Sequence, residues 1–212
     1  MVTMRRIVDQ EGADFYPTPP WATKALLENE KFEGNIWEPA CGNGAMSEEI
    51  KKRYPCQVYS TDLYDHGYEF AHTGINFLMT YNAEKQWNNI ITNPPYNEAE
   101  NFIHKALSIV NHKAAFLLRL SFLEGEKRYK RLFAKRPPVR VWAFSERITF
   151  YPAGAEIKGS GTLAYGWFIW DNRFQDTKMK TELCWFPPNY KPKKLRKKKK
   201  LVNSEGLEPS PE

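Results

Sequence analysis

Four short stretches of this 212-residue chain carry side chains that could hold a small ligand or act on one. In "EPACGNGA", residues 38–45, Gly42 and Gly44 allow a tight turn and a close approach of backbone to ligand. A helix starting near Ala45 would aim its N-terminus at the same place. Glu38 would repel a pyrophosphate there and suits a cationic or amino-bearing ligand. Asp62, in "YSTDLYD", lies 18 residues past Gly44, where doubly wound folds place an acid for ribose hydroxyls. A helix cap or a plain loop acid is the other reading of Asp62. In "TGINFLMT", Asn76 and Phe77 offer an amide and an apolar ring to the edge and face of an adenine, or a loop amide and a core ring. The last stretch, "ITNPPYNEAE", residues 91–100, stops a short apolar run with Pro94 and Pro95 and sets the Asn93 carboxamide and the Tyr96 phenol beside the stop. Proline removes a backbone donor and fixes φ, so a pair of them ends a strand abruptly.

These residues need a frame to bring them together. Apolar runs of strand length fall at 36–37, 58–61, 89–92, 114–119, 139–144 and 163–170. Between them lie the helical patterns "PPWATKALLENE", "GAMSEEIKKRY", "NEAENFIHKALSIVNH" and "EGEKRYKRLFAK". In the third, Ala99, Phe102, Ile103, Ala106, Leu107 and Val110 recur at helical spacing and predict one apolar face. Strands alternating with helices of this length predict a mostly parallel sheet covered on both faces. The last two strands have no helix between them, which predicts an antiparallel pair at the edge. In such a sheet, ligands bind outside the carboxyl ends of the strands, near the point where strand order reverses.

The composition, 42% apolar and 15% aromatic, is that of one globular domain with a proper core. Cys41, Cys56 and Cys184 are too few and too scattered for a disulfide framework or a zinc cluster, and they read as reduced and intracellular. "MVTMRRIVDQ" lacks the apolar region of a signal peptide, and "AAFLLRLSFL" is too short for a bilayer and is interrupted by Arg119. A soluble cytoplasmic protein is therefore expected. Charge is segregated along the chain. Residues 1–112 carry 9 Lys/Arg against 15 Asp/Glu, residues 113–140 carry 9 against 2, and residues 191–212 carry 8 against 3. A concentrated basic surface is a footprint for a polyanion. From about Lys191 the chain loses apolar periodicity, so a folded domain over residues 1–190 and a disordered basic tail over 191–212 are expected.

"EPACGNG" followed by "TDL", "INFL" and "NPPY" resembles the S-adenosylmethionine-dependent methyltransferases, and Asn93–Tyr96 narrows the resemblance to methylation of amino groups. An [Asp/Asn/Ser]-Pro-Pro-aromatic tetrapeptide arises by chance in roughly one chain in a hundred of this length. "DFYPTPPWAT", residues 14–23, is similar to the segment that closes over the methionine end of the cofactor in phage and bacterial DNA adenine-N6 methyltransferases. "GSGTLAYGWFIW" is similar to the last strand of small phage-type members. The likeness runs from about Asp14 to Trp170. Two departures stand out: Asn76 replaces a frequent carboxylate, and Ala40 replaces a glycine of the broader pattern.

The resemblance implies a Rossmann-like methyltransferase fold, with a seven-stranded, mostly parallel sheet, an antiparallel edge strand and helices on both faces. It implies S-adenosylmethionine as cofactor, held by Tyr16, Pro17, Thr18, Glu38, Ala40, Cys41, Gly42, Gly44, Asp62, Leu63, Asn76, Phe77 and Asn93. It assigns the Asn93 side-chain oxygen and the Pro94 carbonyl as acceptors for the two hydrogens of an adenine N6 amine, with Pro95 stiffening the turn and Tyr96 stacking on the base. In-line methyl transfer of this kind needs no metal, covalent intermediate or strong base.

Double-stranded DNA is the expected partner, with phosphate contacts from Arg119, Lys127, Arg128, Lys130 and Arg131 and from the loop at 145–161. An ordinary amphipathic helix packed through Tyr129, Leu132 and Phe133 is the other reading of that basic stretch. No membrane partner is expected, and the chain reads as a monomer or weak homodimer. The competing functions are methylation of an RNA base or a protein glutamine, and a catalytically silent nucleic-acid-binding subunit.

Overall fold

The computed structural model describes residues 16–54, 58–80, 87–150, 163–174 and 180–192. Most of the loop expected at 145–161, and the tail from residue 193, lie outside them. Along the chain run helix α1 (Pro20–Asn29), strand β1 (Ile36–Glu38), α2 (Ala45–Arg53), β2 (Val58–Thr61), β3 (Ala71–His72), β4 (Trp87–Thr92), α3 (Ala99–Ile109) and β5 (Val110–Arg119). They are followed by a short helix α4 (Glu126–Arg128) that continues as a π-turn (Tyr129–Phe133), then β6 (Arg140–Phe144), β7 (Tyr165–Asp171) and β8 (Glu182–Phe186).

The strands form one sheet in the order β3-β2-β1-β4-β5-β7-β6-β8. Pairing is parallel from β3 through β5, β7 runs antiparallel to both β5 and β6, and β8 is parallel to β6. The sheet thus has eight strands where seven were expected. The reversed strand, β7, lies inside the sheet rather than at its edge, because it is inserted between β5 and β6, and β8 adds outside β6. All six runs read from the sequence are strands, and β3 and β8 are the two it missed.

Alternation along the central strands divides the core between the two faces. Ala114, Phe116 and Leu118 of β5 and Phe168 and Trp170 of β7 pack with Phe102, Ile103 and Ala106 of α3. Ala115 and Leu117, with Trp167 and Ile169, pack with Ala22, Leu26, Met46 and Ile50 of α1 and α2. This double burial is why β5 and β7 read as unbroken apolar runs. Helix α3 buries the predicted face but ends at Ile109, and Val110 is already the first residue of β5. Asn172 closes the join by donating to the carbonyls of Leu107 (3.0 Å) and Val110 (2.7 Å).

Helix α1 spans the sheet and is pinned at both ends. Near its start, Trp167 Nε1 donates to the Ala22 carbonyl at 2.9 Å. At its C-terminus the cap residue Glu30 is 3% exposed and accepts from Lys113 Nζ of β5 (2.7 Å), Trp142 Nε1 of β6 (2.9 Å) and the Arg140 guanidinium. Burial acts to raise the Glu30 carboxyl, but the bonds from Lys113, Trp142 and Arg140 outweigh it and hold the group below its usual range. A carboxylate whose folded pKa is depressed stabilises the fold above its unfolded value of about 4.3, and that contribution fades as pH falls through the folded value. Glu30→Gln removes the charge from a buried cluster and leaves two cations facing it. Urea denaturation at pH 7 is expected to show a loss of about 3–5 kcal/mol, and the gap to wild type narrows below about pH 4.

Candidate active site

Strand order reverses between β1 and β4, so the crevice of this fold opens at their carboxyl ends. The loops after β1, β2 and β4 open there, and the first two are tied to each other. Asp62, at the end of β2, accepts from the Gly42 amide at 2.8 Å and from the Tyr64 amide at 3.0 Å. It therefore braces the glycine loop from below. The Cys41 amide adds a bond to the Thr61 carbonyl at 3.0 Å. Cys41 is buried, and burial pushes its thiol well above the ordinary cysteine range. Ala40 is half-buried and Leu63 exposed on either side of this brace.

Glu38 does not face outward. It is 1% exposed and accepts from the Ser47 hydroxyl of α2, which also lies 2.6 Å from the Ser60 hydroxyl. Burial, with Asp62 nearby, lifts its carboxyl well above the usual range despite the Ser47 bond. The group is less anionic than its place at a strand end suggests.

Gly44 starts α2 in the left-handed region, with φ +77°. The Tyr68 ring lies against it, so close that a Cβ at residue 44 would sit 2.4 Å from a ring carbon. Tyr68 is locked in place by donating to Glu48 Oε1 (2.5 Å) and accepting from Lys51 Nζ (2.7 Å). Sequence reasoning missed Tyr68; the only signal was its place among the aromatics of "YDHGYEF". Asn76 starts a 3-10 turn (Phe77–Met79) and accepts from the Leu78 amide at 3.1 Å. The Phe77 ring is 2% exposed, packed against Trp37 and Phe102, and stands in the core.

At the end of β4 the backbone stops with Pro94 buried and Pro95 exposed. Asn93 Nδ2 donates to Thr18 Oγ1 at 3.1 Å, while Asn93 Oδ1 is buried and has no hydrogen-bond partner among the described residues. Thr18 is buried, flanked by the half-buried Tyr16 and Pro17. Tyr96 packs at the boundary of the two core faces, 6.0 Å from the Tyr165 ring. Its buried hydroxyl makes no bond of normal geometry, and burial, reinforced by Tyr165, pushes the phenol far above its usual range. Arg119, at the carboxyl end of β5 and in register with Tyr165, holds its guanidinium carbon 4.8 Å from the Tyr96 ring centre. Its buried Nε is unpartnered.

The structure thus separates Arg119 from the other four basic residues. Lys127 is exposed and pairs with none of the described residues. Arg128 folds back onto the carbonyls of Phe122 and Glu124 and over the Phe122 ring. Lys130 pairs with Glu126, and Arg131 makes a two-pronged bridge to Glu100 at 2.7 and 2.9 Å. Leu132 is buried and Phe133 half-buried, while Tyr129 is 61% exposed and does not pack as expected. Among the described residues, no helix is long and apolar enough to cross a membrane.

No family model and no curated protein matches this sequence. Solved structures do match in shape. The methyltransferase subunit of a type I restriction-modification system from Streptococcus thermophilus superposes with a TM-score of 0.57 at 13% identity, over 79% of this chain and 47% of that one. The M protein of the type I restriction enzyme EcoKI gives 0.53 at 14%, over 74% and 44%. A protein described as a predicted O-methyltransferase, from Agrobacterium tumefaciens, gives 0.53 at 12%, over 78% and 84%. The chain spans less than half the length of the type I subunits. At these identities the likeness is one of fold: the chain has the Rossmann-like fold of these methyltransferases.

The contact of Tyr68 with Gly44 is testable. Gly44→Ala places a side chain at positive φ and into an aromatic ring, and a loss of at least about 1–2 kcal/mol is expected in urea denaturation. In a Tyr68→Ala background the steric part of that loss disappears and only the backbone part remains.

Proposed function

We propose that the chain transfers a methyl group from S-adenosylmethionine to the N6 amine of adenine in double-stranded DNA. One observation carries the reading. At the carboxyl end of β4, a buried carboxamide oxygen on Asn93 lacks a partner, beside a carbonyl stiffened by two prolines and an aromatic ring. Buried acceptors are rarely left unpaired unless something binds them.

The residues at this edge fit the cofactor. Asp62 and Asn76 close the loops where a ribose and an adenine would lie, Gly42 adds no side chain to the β1 loop while Gly44 lies under the Tyr68 ring, and Thr18 of the entrance segment stands against Asn93. When bound, S-adenosylmethionine supplies an electrophilic methyl group. The chain's own part is to prepare the acceptor. An adenine amine is a poor nucleophile because its lone pair is delocalised into the ring. Asn93 Oδ1 and the Pro94 carbonyl accept its two hydrogens, draw the nitrogen toward a tetrahedral shape and free the lone pair. Both acceptors are fixed before the base arrives, which lowers the barrier without reorganisation. The base must leave the duplex to reach them, and Tyr96 supplies the surface on which it stacks. The Tyr96 phenol stays protonated, as its burial requires.

DNA would lie across the carboxyl edge, where α4 follows β5. Lys127 pairs with none of the described residues, and the exposed pairs of Lys130 and Arg131 are weak enough to exchange for phosphates. The type I restriction-modification subunits that share the fold support a DNA substrate by analogy.

A nucleoside mass spectrum tests the reading. Methylation-free duplex DNA incubated with protein and S-adenosylmethionine is expected to yield N6-methyladenine; methylated cytosine moves the chemistry to another base, and unmethylated DNA with cofactor bound rejects a DNA substrate. Asn93→Ala is expected to bind cofactor and lose at least about 100-fold in kcat. Near-normal turnover in that variant would overturn the acceptor mechanism.

A further inference from the structure

The hydroxyl of Thr18 is spent on Asn93. A carboxamide donates from one end and accepts at the other, and its two flipped orientations present either end to the same place. Only the oxygen can take a hydrogen from an amine; a nitrogen in its place would set its own hydrogens against those of the substrate. Which end faces the acceptor amine therefore decides whether Asn93 works.

In the structure the nitrogen end is taken by a residue 75 positions away, Asn93 Nδ2 donating to Thr18 Oγ1 at 3.1 Å. Taking up the nitrogen leaves Oδ1 buried and unpartnered. Thr18 is well fixed for the purpose. It is 6% exposed and sits between Pro17 and Pro19, each with a restricted φ. The Pro19 carbonyl accepts from the Ala22 amide at 2.9 Å, and Ala22 is tied to Trp167 in turn.

We propose that Thr18 is a positioning residue that holds the Asn93 carboxamide with its oxygen turned toward the substrate amine. The inference rests on the reading of Asn93 as the acceptor of that amine. It gives the entrance segment a part in turnover that is separate from cofactor affinity.

Two variants of the full chain test it. Thr18→Val keeps the shape and removes the hydroxyl, while Thr18→Ser keeps the hydroxyl and removes the methyl. Thr18 also stands in the set expected to hold the cofactor, so calorimetric Kd for S-adenosylmethionine and KM for DNA are measured beside kcat, and any loss of affinity in Thr18→Val is expected to fall well short of the loss in kcat. In Thr18→Val, kcat falls about 10- to 100-fold, the usual cost of a misplaced reacting group, and Thr18→Ser recovers most of it. Equal turnover in wild type and Thr18→Val overturns the proposal. So does a Thr18→Ser variant as impaired as Thr18→Val, or a cofactor affinity that falls in step with kcat. A second readout needs no turnover: the side-chain amide protons of Asn93, followed by 15N NMR in the cofactor-bound protein. One of them is expected to exchange slowly in wild type and Thr18→Ser and fast in Thr18→Val. Equal exchange in all three overturns the assignment even if no adenine is methylated, an outcome that would defeat the proposed reaction alone.

Discussion

A buried carboxylate at the foot of α1 governs how the two ends of this molecule relate. Glu30 gathers Lys113, Arg140 and Trp142, so the helix cannot slide along the sheet without stranding a charge away from water. Helix α1 runs against the direction of the parallel strands. Its lower end is at the start of β5 and β6, and its upper end is beside the turn that follows β4. With the foot fixed and Trp167 gripping the first turn, Thr18 has one place to be. A charge cluster at the amino edge thereby sets the position of a hydroxyl at the carboxyl edge, about 15 Å away along a ten-residue helix.

The carboxyl edge divides its polar groups into two kinds. Asp62 is bonded to the β1 loop, Glu38 to Ser47 of α2 and Asn76 within its own turn, and these bonds keep the loops in shape. Asn93 Oδ1, Tyr96 Oη and Arg119 Nε are buried without partners, and all three cluster around the Pro-Pro turn. Each such atom costs the fold roughly 1–3 kcal/mol. Thr23 Oγ1 of α1, Thr92 Oγ1 at the end of β4 and Arg128 Nε are likewise buried without hydrogen-bond partners among the described residues. The three around the Pro-Pro turn, however, gather an amide, a phenol and a guanidinium at one edge, as a binding surface prepared in advance would.

Much of this was legible in the sequence, for physical reasons. The six strands read correctly are buried on one or both faces, so their apolar runs stand out, and Pro94-Pro95 marks the end of β4 without ambiguity. The strands that were missed are those where burial leaves little trace. β3 has two residues, and β8 exposes Leu183 and Trp185, so its pattern is not that of a core strand. The basic segment reads as one helix by composition, but Gly125 takes φ +118° and the chain passes from a short helix into a π-turn. Orientation was the least legible property. Glu38 turns inward to Ser47, Phe77 inward to Trp37, and Arg119 toward Tyr96, because a long-range partner decides each of them and one-dimensional spacing does not encode it.

The insertion of β7 between β5 and β6 bears on how the chain is made. β6 pairs only with β7 and β8, both of which come later in the chain. As synthesis proceeds from the N-terminus, β6 emerges with no partner, and the outer edge of β5 stays open until residues 165–171 have left the ribosome. Over that interval Phe116 and Leu117 lack their packing against β7, and the nascent chain presents an open, apolar strand edge to its surroundings. The sheet that carries the site closes only when its second-to-last strand slots into the gap, which makes completion of the fold a late and long-range event.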